Sequence, residues 1–369
     1  MIVPFLDLRS AYQELADRLE PAVLRALRSG WYIGGEEVEA FEASFAQYCE
    51  VSCAIAVANG LEALELLLRG YGIGPGDEVI VPSNTFIATW LAVSRTGATL
   101  VPVEPNEDTY NIDVAGIDQA IGERTKAIIP VHLYGQPADL GAIAQLAEQR
   151  SLFIIEDAAQ AQGAKCRGRR IGGATHAAAW SFYPAKNLGA FGDAGAVTTN
   201  DSELAERLRM LRNYGSGIKY VHEIQGLNSR MDPLQAAALK VKLEVLDQWN
   251  ERRRLIAQQY LEAFRDTSLI LPAVPAWCEP VWHLFVVRHR ERDKLKDGLE
   301  ARGVQTQIHY PIPPHEQRAF AHLGYVSEAF PLARQFSREM LSLPIGPQMK
   351  DVEVAYVIES VLAELGQST

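Results

Sequence analysis

The residues best placed to do chemistry cluster in one run, Trp180-Ser181-Phe182-Tyr183-Pro184-Ala185-Lys186-Asn187-Leu188-Gly189. Its first half is apolar and aromatic, the pattern of a buried strand. The run breaks at Pro184, presents one lysine and opens into a stretch carrying Gly189, Gly192 and Gly195. A lysine beside a buried strand is costly to desolvate unless it is paired or used covalently. Burial also lowers the pKa of its amine and frees the nitrogen to attack a carbonyl. Taken alone, the run is equally compatible with a surface lysine on a turn.

Three other stretches carry candidate chemistry. Leu152-Phe153-Ile154-Ile155 is a buried strand that ends in Glu156-Asp157-Ala158-Ala159-Gln160. An acid at that point is either a helix N-cap or a buried partner for a cation. Ala54 to Ala58 is a short apolar strand, and Asn59-Gly60-Leu61 opens the helix after it. The free N–H groups of a helix start suit a phosphate, although an ordinary strand–helix turn reads the same way. Phe86 follows the strand Glu78–Val81, at the edge where ligands collect in open α/β sheets. It is either core or a face for a planar ring.

The elements that must position these residues alternate. Helices are expected over 11–29 (Leu15, Leu19, Val23, Leu24 and Leu27 on one face), 36–48, 87–96, 112–121, 139–149 and 201–213. Between them run strands at 54–58, 78–81, 100–103, 125–131, 152–155, 178–182 and 194–199. This pattern predicts a mostly parallel sheet covered on both faces. Residues 214–229 form a long glycine-bearing loop, and one long helix runs from Asp232-Pro233 to Tyr260. From about residue 265 the pattern changes to strands at 282–288 and 306–309, a helix at 293–303, a proline-rich turn at 310–316 and helices at 329–341 and 350–366. The reading is a large domain over 1–245 and a smaller C-terminal α/β domain over 246–369.

Composition narrows the function. The 369 residues carry a net charge of -11, which argues against a general nucleic-acid binder. The four cysteines form no CxxC pair and no zinc set, so no metal is expected, and they read as reduced thiols of a cytoplasmic protein. The first residues do not resemble a signal peptide, and no apolar run is long enough to span a bilayer.

Lys186, Asp157, a glycine turn at a helix start and an exposed aromatic together match a pyridoxal phosphate site. That cofactor needs a lysine to bind its carbonyl and a carboxylate to keep its ring nitrogen protonated. It also needs donors for a dianionic phosphate and an apolar face for the ring. The whole chain resembles the sugar aminotransferases of the DegT/DnrJ/EryC1/StrS family. The resemblance rests on Phe5-Leu6-Asp7-Leu8, Ser29-Gly30-Trp31-Tyr32-Ile33-Gly34-Gly35, Asn59-Gly60-Leu61, Glu156 to Gln160, Phe182 to Gly189, and Asn228-Ser229-Arg230-Met231-Asp232.

The resemblance implies the aspartate aminotransferase type fold (fold type I), with a mixed, mostly parallel seven-stranded sheet and a smaller domain. It implies that Lys186 binds the cofactor and moves the proton, and that Asp157 pairs with the ring nitrogen. Gln160 would lie by the ring hydroxyl, and Phe86 would stack on the ring. Gly60, Leu61 and Ser181 would hold the phosphate. Family members often carry Thr or Ser where Leu61 stands, so here only its backbone N–H is available. Asn228 would reach the phosphate of a neighbouring subunit, which makes the protein a homodimer with shared sites.

For substrate, Ile308-His309-Tyr310-Pro311-Ile312-Pro313-Pro314-His315 resembles members that aminate C3 of a nucleotide-linked 3-keto-6-deoxyhexose. His309, Tyr310 and Tyr183 are the expected sugar or diphosphate contacts, with L-glutamate as amine donor and Arg230 as a candidate for its carboxylate. Amination at C4 of a dTDP- or UDP-sugar is the alternative. The branch that replaces the lysine with histidine and dehydrates its substrate is disfavoured by Lys186. A Rossmann-type oxidoreductase would need G-x-G-x-x-G, which Ala58-Asn59-Gly60-Leu61-Glu62 does not supply.

Overall fold

Four of the first six strands of the main sheet are followed by a connection that contains a helix, and the last two by connections without one. In the computed structural model, which describes residues 1–366, the strands are β1 (Cys53–Val57), β2 (Glu78–Pro82), β3 (Thr99–Val103), β4 (Thr125–Ile128), β5 (Phe153–Asp157), β6 (Ala177–Ser181) and β7 (Gly195–Thr199). Their order across the sheet is β1-β7-β6-β5-β4-β2-β3. Pairs β6–β5, β5–β4, β4–β2 and β2–β3 are parallel, and β7 runs antiparallel to both β6 and β1. Helices lie in the connections from β1 to β2, β2 to β3, β3 to β4 and β4 to β5; none lies between β5 and β6, which stay parallel, or between β6 and β7, where a helix-free connection reverses the chain. The lysine run is that helix-free connection. The expected mixed, mostly parallel seven-stranded sheet is present.

The helices of this part are α1 (Leu8–Ser29), α2 (Glu36–Tyr48), α3 (Gly60–Gly70), α4 (Ile87–Thr96), α5 (Val114–Ala120), α6 (Leu140–Arg150) and α7 (Ser202–Leu211). Side chains of Asn59, Asp113, Asp139 and Asp201 cap α3, α5, α6 and α7 by accepting from backbone N–H groups of the first turn. In α1 the buried stripe is Leu15, Leu19, Ala22 and Ala26, while Leu24 and Leu27, expected on that face, are exposed. Residues 214–229 are not a plain loop: Ser216–Ile218 and Val221–His222 pair as a short hairpin.

The period-2 alternation of β6 sends its side chains to two cores. Ala178 and Trp180 join Phe41, Phe45, Phe182 and Leu188 on one face, and Ala177 and Ala179 join Leu64, Leu67, Trp90 and Leu208 on the other. A third core gathers Val3, Tyr260, Phe264, Phe285, Leu299, Leu341 and Val357 around the C-terminal part. Its strands are β8 (Phe285–Arg288) and β9 (Met340–Leu343), paired antiparallel, and its later helices are α10 (Arg292–Ala301), α11 (Pro331–Glu339) and α12 (Asp351–Glu364).

Two expectations fail here. The helix expected over 232–260 is two helices, α8 (Pro233–Leu243) and α9 (Leu246–Ala263). No proline or glycine marks the break. Ala236, Leu239 and Leu243 of α8 and Leu246 at the start of α9 pack in the first core, and Ile256, Ala257 and Tyr260 pack in the third, so the chain passes from one core to the other along α9. The strand expected at 306–309 is only a single bridge, Gln307 to Ser342. The partner of β8 is Met340–Leu343, read from sequence partly as helix. All of its residues are buried and Pro344 follows, which suits a strand between two layers.

We propose that the break at Glu244-Val245 divides the large domain (1–245) from the small one (246–369), of which residues 367–369 lie outside the described residues. Val3 bridges to Val304, so the first residues pack with the small domain. Among the described residues, no helix is long and apolar enough to cross a membrane, and no His/Cys/Asp/Glu group could hold a metal ion.

Candidate active site

Lys186 stands at the apex of a closed loop. Phe182 and Leu188 anchor the loop in the first core, and the Ala190 N–H donates to the Phe182 carbonyl at 2.8 Å. A Cβ on Gly189 would fall 2.2 Å from the Pro184 carbonyl oxygen, so only glycine lets the loop close. Asn187 donates from Nδ2 to Asn250 Oδ1 and to the Val281 carbonyl, both at 2.9 Å, and its Oδ1 lies 3.2 Å from His283 Nδ1. Lys242 Nζ, itself buried, donates to the Gly189 carbonyl at 2.6 Å. The backbone on both sides of Lys186 is therefore tied to α8, α9 and the chain leading into β8. Burial pushes the Lys186 amine down to about 8, and the negative charge of Asp157 opposes that shift in part.

Asp157 closes β5 and is almost fully buried. Burial raises the pKa of its carboxyl, while four features lower it: the Thr89 hydroxyl, which donates to Oδ2 at 2.8 Å, the Ala159 N–H, which donates to Oδ1 at 3.2 Å, and the nearby Lys186 and His132. Parallel strand ends place such a group at the carboxyl edge of the sheet, where α/β sheets bind ligands.

Gln160, one turn further on, accepts from the Tyr134 N–H at 2.6 Å and donates from Nε2 to the Tyr310 hydroxyl at 2.9 Å. The Tyr310 ring lies 5.3 Å from that of Phe86, which is half exposed at the start of α4. His309 Nδ1 lies 2.8 Å from Ser342 Oγ, and burial, aided by the Lys186 charge, pushes its imidazole down to about 4. The structure thus brings Lys186, Asp157, Gln160, Phe86, His309 and Tyr310 together around one lysine cleft.

A second group lies beside it. Gly60 opens α3, and a Cβ on it would fall 2.8 Å from Ser181 Cβ at the end of β6. Asn59 takes the Glu62 N–H, and the N–H groups of Gly60 and Leu61 have no partner within the helix. The result is a cradle of two backbone donors and one hydroxyl at a helix start, which suits a phosphate. A carboxylate for a ring nitrogen, an amide and phenol for a ring hydroxyl, an aromatic face, a low-pKa amine and this cradle together fit pyridoxal phosphate.

Three expected residues stand apart. Tyr183 is exposed, and its backbone N–H donates to Ser181 Oγ at 3.3 Å. Asn228 is exposed and bridges Asn213. Arg230 donates to Asn213 Oδ1 at 3.0 Å and packs over the Tyr214 ring. Neither Asn228 nor Arg230 contacts the lysine cleft of its own chain.

The sequence reading missed Thr89, Asn187, Lys242 and His283. Thr89 follows Phe86 at helical i+3 spacing, and Asn187 directly follows the lysine, so both carried a local signal. It also missed the fully buried pair of His132 and Glu156, the latter on β5, whose side chains meet at 2.9 Å. His132 Nδ1 accepts from the Ala138 N–H at 3.0 Å, which leaves Nε2–H to donate to Glu156.

A seven-stranded mixed sheet, a lysine between its antiparallel strands and a smaller C-terminal domain make up the fold-type I architecture of pyridoxal phosphate aminotransferases. The chain belongs to the DegT/DnrJ/EryC1/StrS aminotransferase family, whose model matches residues 13–362. It is 54% identical over 360 residues to the dTDP-3-amino-3,4,6-trideoxy-alpha-D-glucose transaminase of Streptomyces venezuelae, covering 97% of this chain and 95% of that one. It is 52% identical to the dTDP-3-amino-3,6-dideoxy-alpha-D-galactopyranose transaminase of Aneurinibacillus thermoaerophilus, covering 98% and 99% of the two chains. Its fold matches the crystal structure of S. venezuelae DesV in complex with a ketimine intermediate with a TM-score of 0.98, at 53% identity over the whole of both chains. It matches NtdA of Bacillus subtilis with the bound cofactor PMP with a TM-score of 0.92, at 31% identity over 99% of this chain and 86% of that one.

Proposed function

We propose that the protein transfers the amino group of L-glutamate to C3 of a dTDP-linked 3-keto-6-deoxyhexose, releasing 2-oxoglutarate. The carrying observation is the Lys186 amine, lowered to about 8 and facing Asp157 at the carboxyl edge of the sheet. Relatives at 52% and 54% identity whose names place the amine at C3 of dTDP-sugars support the regiochemistry and the nucleotide.

Pyridoxal phosphate, when bound, supplies a carbonyl for the amine and a ring that takes up electrons. The chain supplies the rest. Lys186 Nζ is the covalent anchor and, once displaced by substrate, the base that takes a proton from carbon and returns it. Asp157 would hold the ring nitrogen protonated, and the cation it would then face would offset the cost of burying its charge. Gln160 hydrogen-bonds the ring hydroxyl, and Phe86 covers one ring face. The Gly60 and Leu61 N–H groups and Ser181 Oγ hold the phosphate. Asn228 of a second copy completes that cradle in a homodimer. His309, Tyr310 and Tyr183 contact the nucleotide sugar, and Arg230 binds the glutamate carboxylate. A cytoplasmic setting accords with four free cysteines.

The test is an incubation of the holoenzyme with L-glutamate and a dTDP-3-keto-6-deoxyhexose, followed by NMR of the product. The expected product carries nitrogen at C3, with one 2-oxoglutarate formed per amino sugar. Nitrogen at C4 would contradict the regiochemistry, and absence of 2-oxoglutarate would contradict amino transfer from glutamate.

A further inference from the structure

Two of the free cysteines stand opposite one another. Cys166 and Cys278 are partners in a small antiparallel sheet formed by Lys165–Cys166, Arg169–Arg170 and Cys278–Glu279. One residue beyond the pair, the Arg167 N–H donates to the Trp277 carbonyl at 2.7 Å. That bond makes Cys166 and Cys278 a non-hydrogen-bonded pair, whose Cα atoms lie roughly 4.5 Å apart with side chains at their closest. Such a spacing falls within the range that a disulfide bridges, roughly 4.4–6.8 Å.

The register is held from the outer face. Lys165 pairs with Glu279 at 3.3 Å, and the Arg167 guanidinium lies 5.6 Å from the centre of the Trp277 ring. Alternation along the strands then sends both thiols to the inner, buried face. Neither thiol has a part in the aminotransferase chemistry.

We propose that Cys166 and Cys278 form a reversible disulfide by exchange with a small-molecule disulfide such as oxidised glutathione. Cys166 is the attacking group, because the positive charge of Arg167 next to it opposes the effect of burial on its thiol. Its thiolate attacks one sulfur of the oxidant, forms a mixed disulfide and releases one glutathione thiol. Cys278 then attacks the Cys166 sulfur and releases the second. Both cysteines are oxidised, both halves of the oxidant are reduced, and the two protons leave on the two glutathione thiols. Burial raises both thiols, Cys278 to about 12, so the exchange is slow at neutral pH and quickens as pH rises.

The bond would staple the large domain to the segment of the small one that leads into β8. That segment continues to Val281 and His283, the partners of Asn187 beside Lys186.

The experiment treats the full-length holoenzyme with oxidised glutathione at pH 8.5, then counts free thiols after unfolding and maps peptides by mass spectrometry. The expected count falls from four to two, with a Cys166–Cys278 linked peptide lighter by two hydrogens and restored by dithiothreitol. Thermal unfolding of the oxidised form is expected at higher temperature, because the link closes a long loop. Cys166→Ser and Cys278→Ser each abolish the internal link, and Cys49→Ser with Cys53→Ser leaves it intact. A count that stays at four, or a link through Cys49 or Cys53, overturns the proposal.

Discussion

Thr89 Oγ1 donates a 2.8 Å hydrogen bond to Asp157 Oδ2, joining the first turn of α4 to the end of β5. Phe86 caps the same helix, so the aromatic face and the carboxylate are set by one element. Thr89→Val keeps the volume and removes the donor to a charged group, a loss of about 1.5–3 kcal/mol. The expected outcome is a tenfold to hundredfold weaker hold on pyridoxal phosphate, roughly the equilibrium factor for that energy. Titrating the apoprotein by visible absorption checks it, and unchanged affinity would show that Asp157 does not depend on Thr89.

Lys186 must be a free amine to take up the cofactor, and its amine is held down to about 8. The rate of cofactor capture by the apoprotein should therefore rise about tenfold per pH unit below that value and level off above it. Stopped-flow absorption from pH 6 to 10 measures the profile. A midpoint near 10.5, the ordinary lysine value, would mean that burial does not tune this amine.

His309 is buried as the neutral imidazole, with its pKa lowered from 6.5 to about 4. Between those values the unfolded chain binds a proton that the folded chain resists. The stability it supports is full above pH 6.5 and is lost as pH falls toward 4. His309→Gln should reduce the stability difference between pH 7 and pH 4.5 by about 2 kcal/mol, read from urea midpoints at the two pH values. His283 and His176, also lowered by burial, keep part of the dependence in the variant.

Asn187→Ala removes the donor to Asn250 and Val281 and leaves buried acceptors unpaired. A loss of about 2–3 kcal/mol is expected, with a drop in kcat larger than the change in KM because the lysine loop loses its tether. Urea denaturation and steady-state kinetics check the two parts. A variant with normal stability and normal kcat would show that the tether is dispensable.

Much of this was legible in the chain because it is local. Asn59, Asp139 and Asp201 announce helix starts, and short apolar runs announce strands, so the order of the large domain and the places of Lys186, Asp157 and Gln160 follow from near neighbours. The break at Glu244-Val245 has no local mark: no proline or glycine stands there, and Leu246 beyond it still packs in the first core. Met340–Leu343 became a strand because β8, more than fifty residues earlier in the chain, needed a partner. Cys166 and Cys278 look unrelated in sequence and meet only through strand pairing. Asn228 and Arg230 carry a family signature, yet their contacts are with Asn213 and Tyr214, which no local pattern in the chain announces.

The central claim is that Lys186 and the cofactor exchange an amine with C3 of a dTDP-sugar. The most direct measurement is the visible absorption spectrum of the pyridoxal phosphate holoenzyme before and after adding dTDP-3-amino-3,6-dideoxyhexoses or their 4-amino isomers, without 2-oxoglutarate. The account predicts that the 3-amino sugars alone convert the lysine-bound cofactor to its amine form, and that Lys186→Ala shows no such conversion. Conversion by the 4-amino isomers alone, or turnover that survives Lys186→Ala, would contradict it.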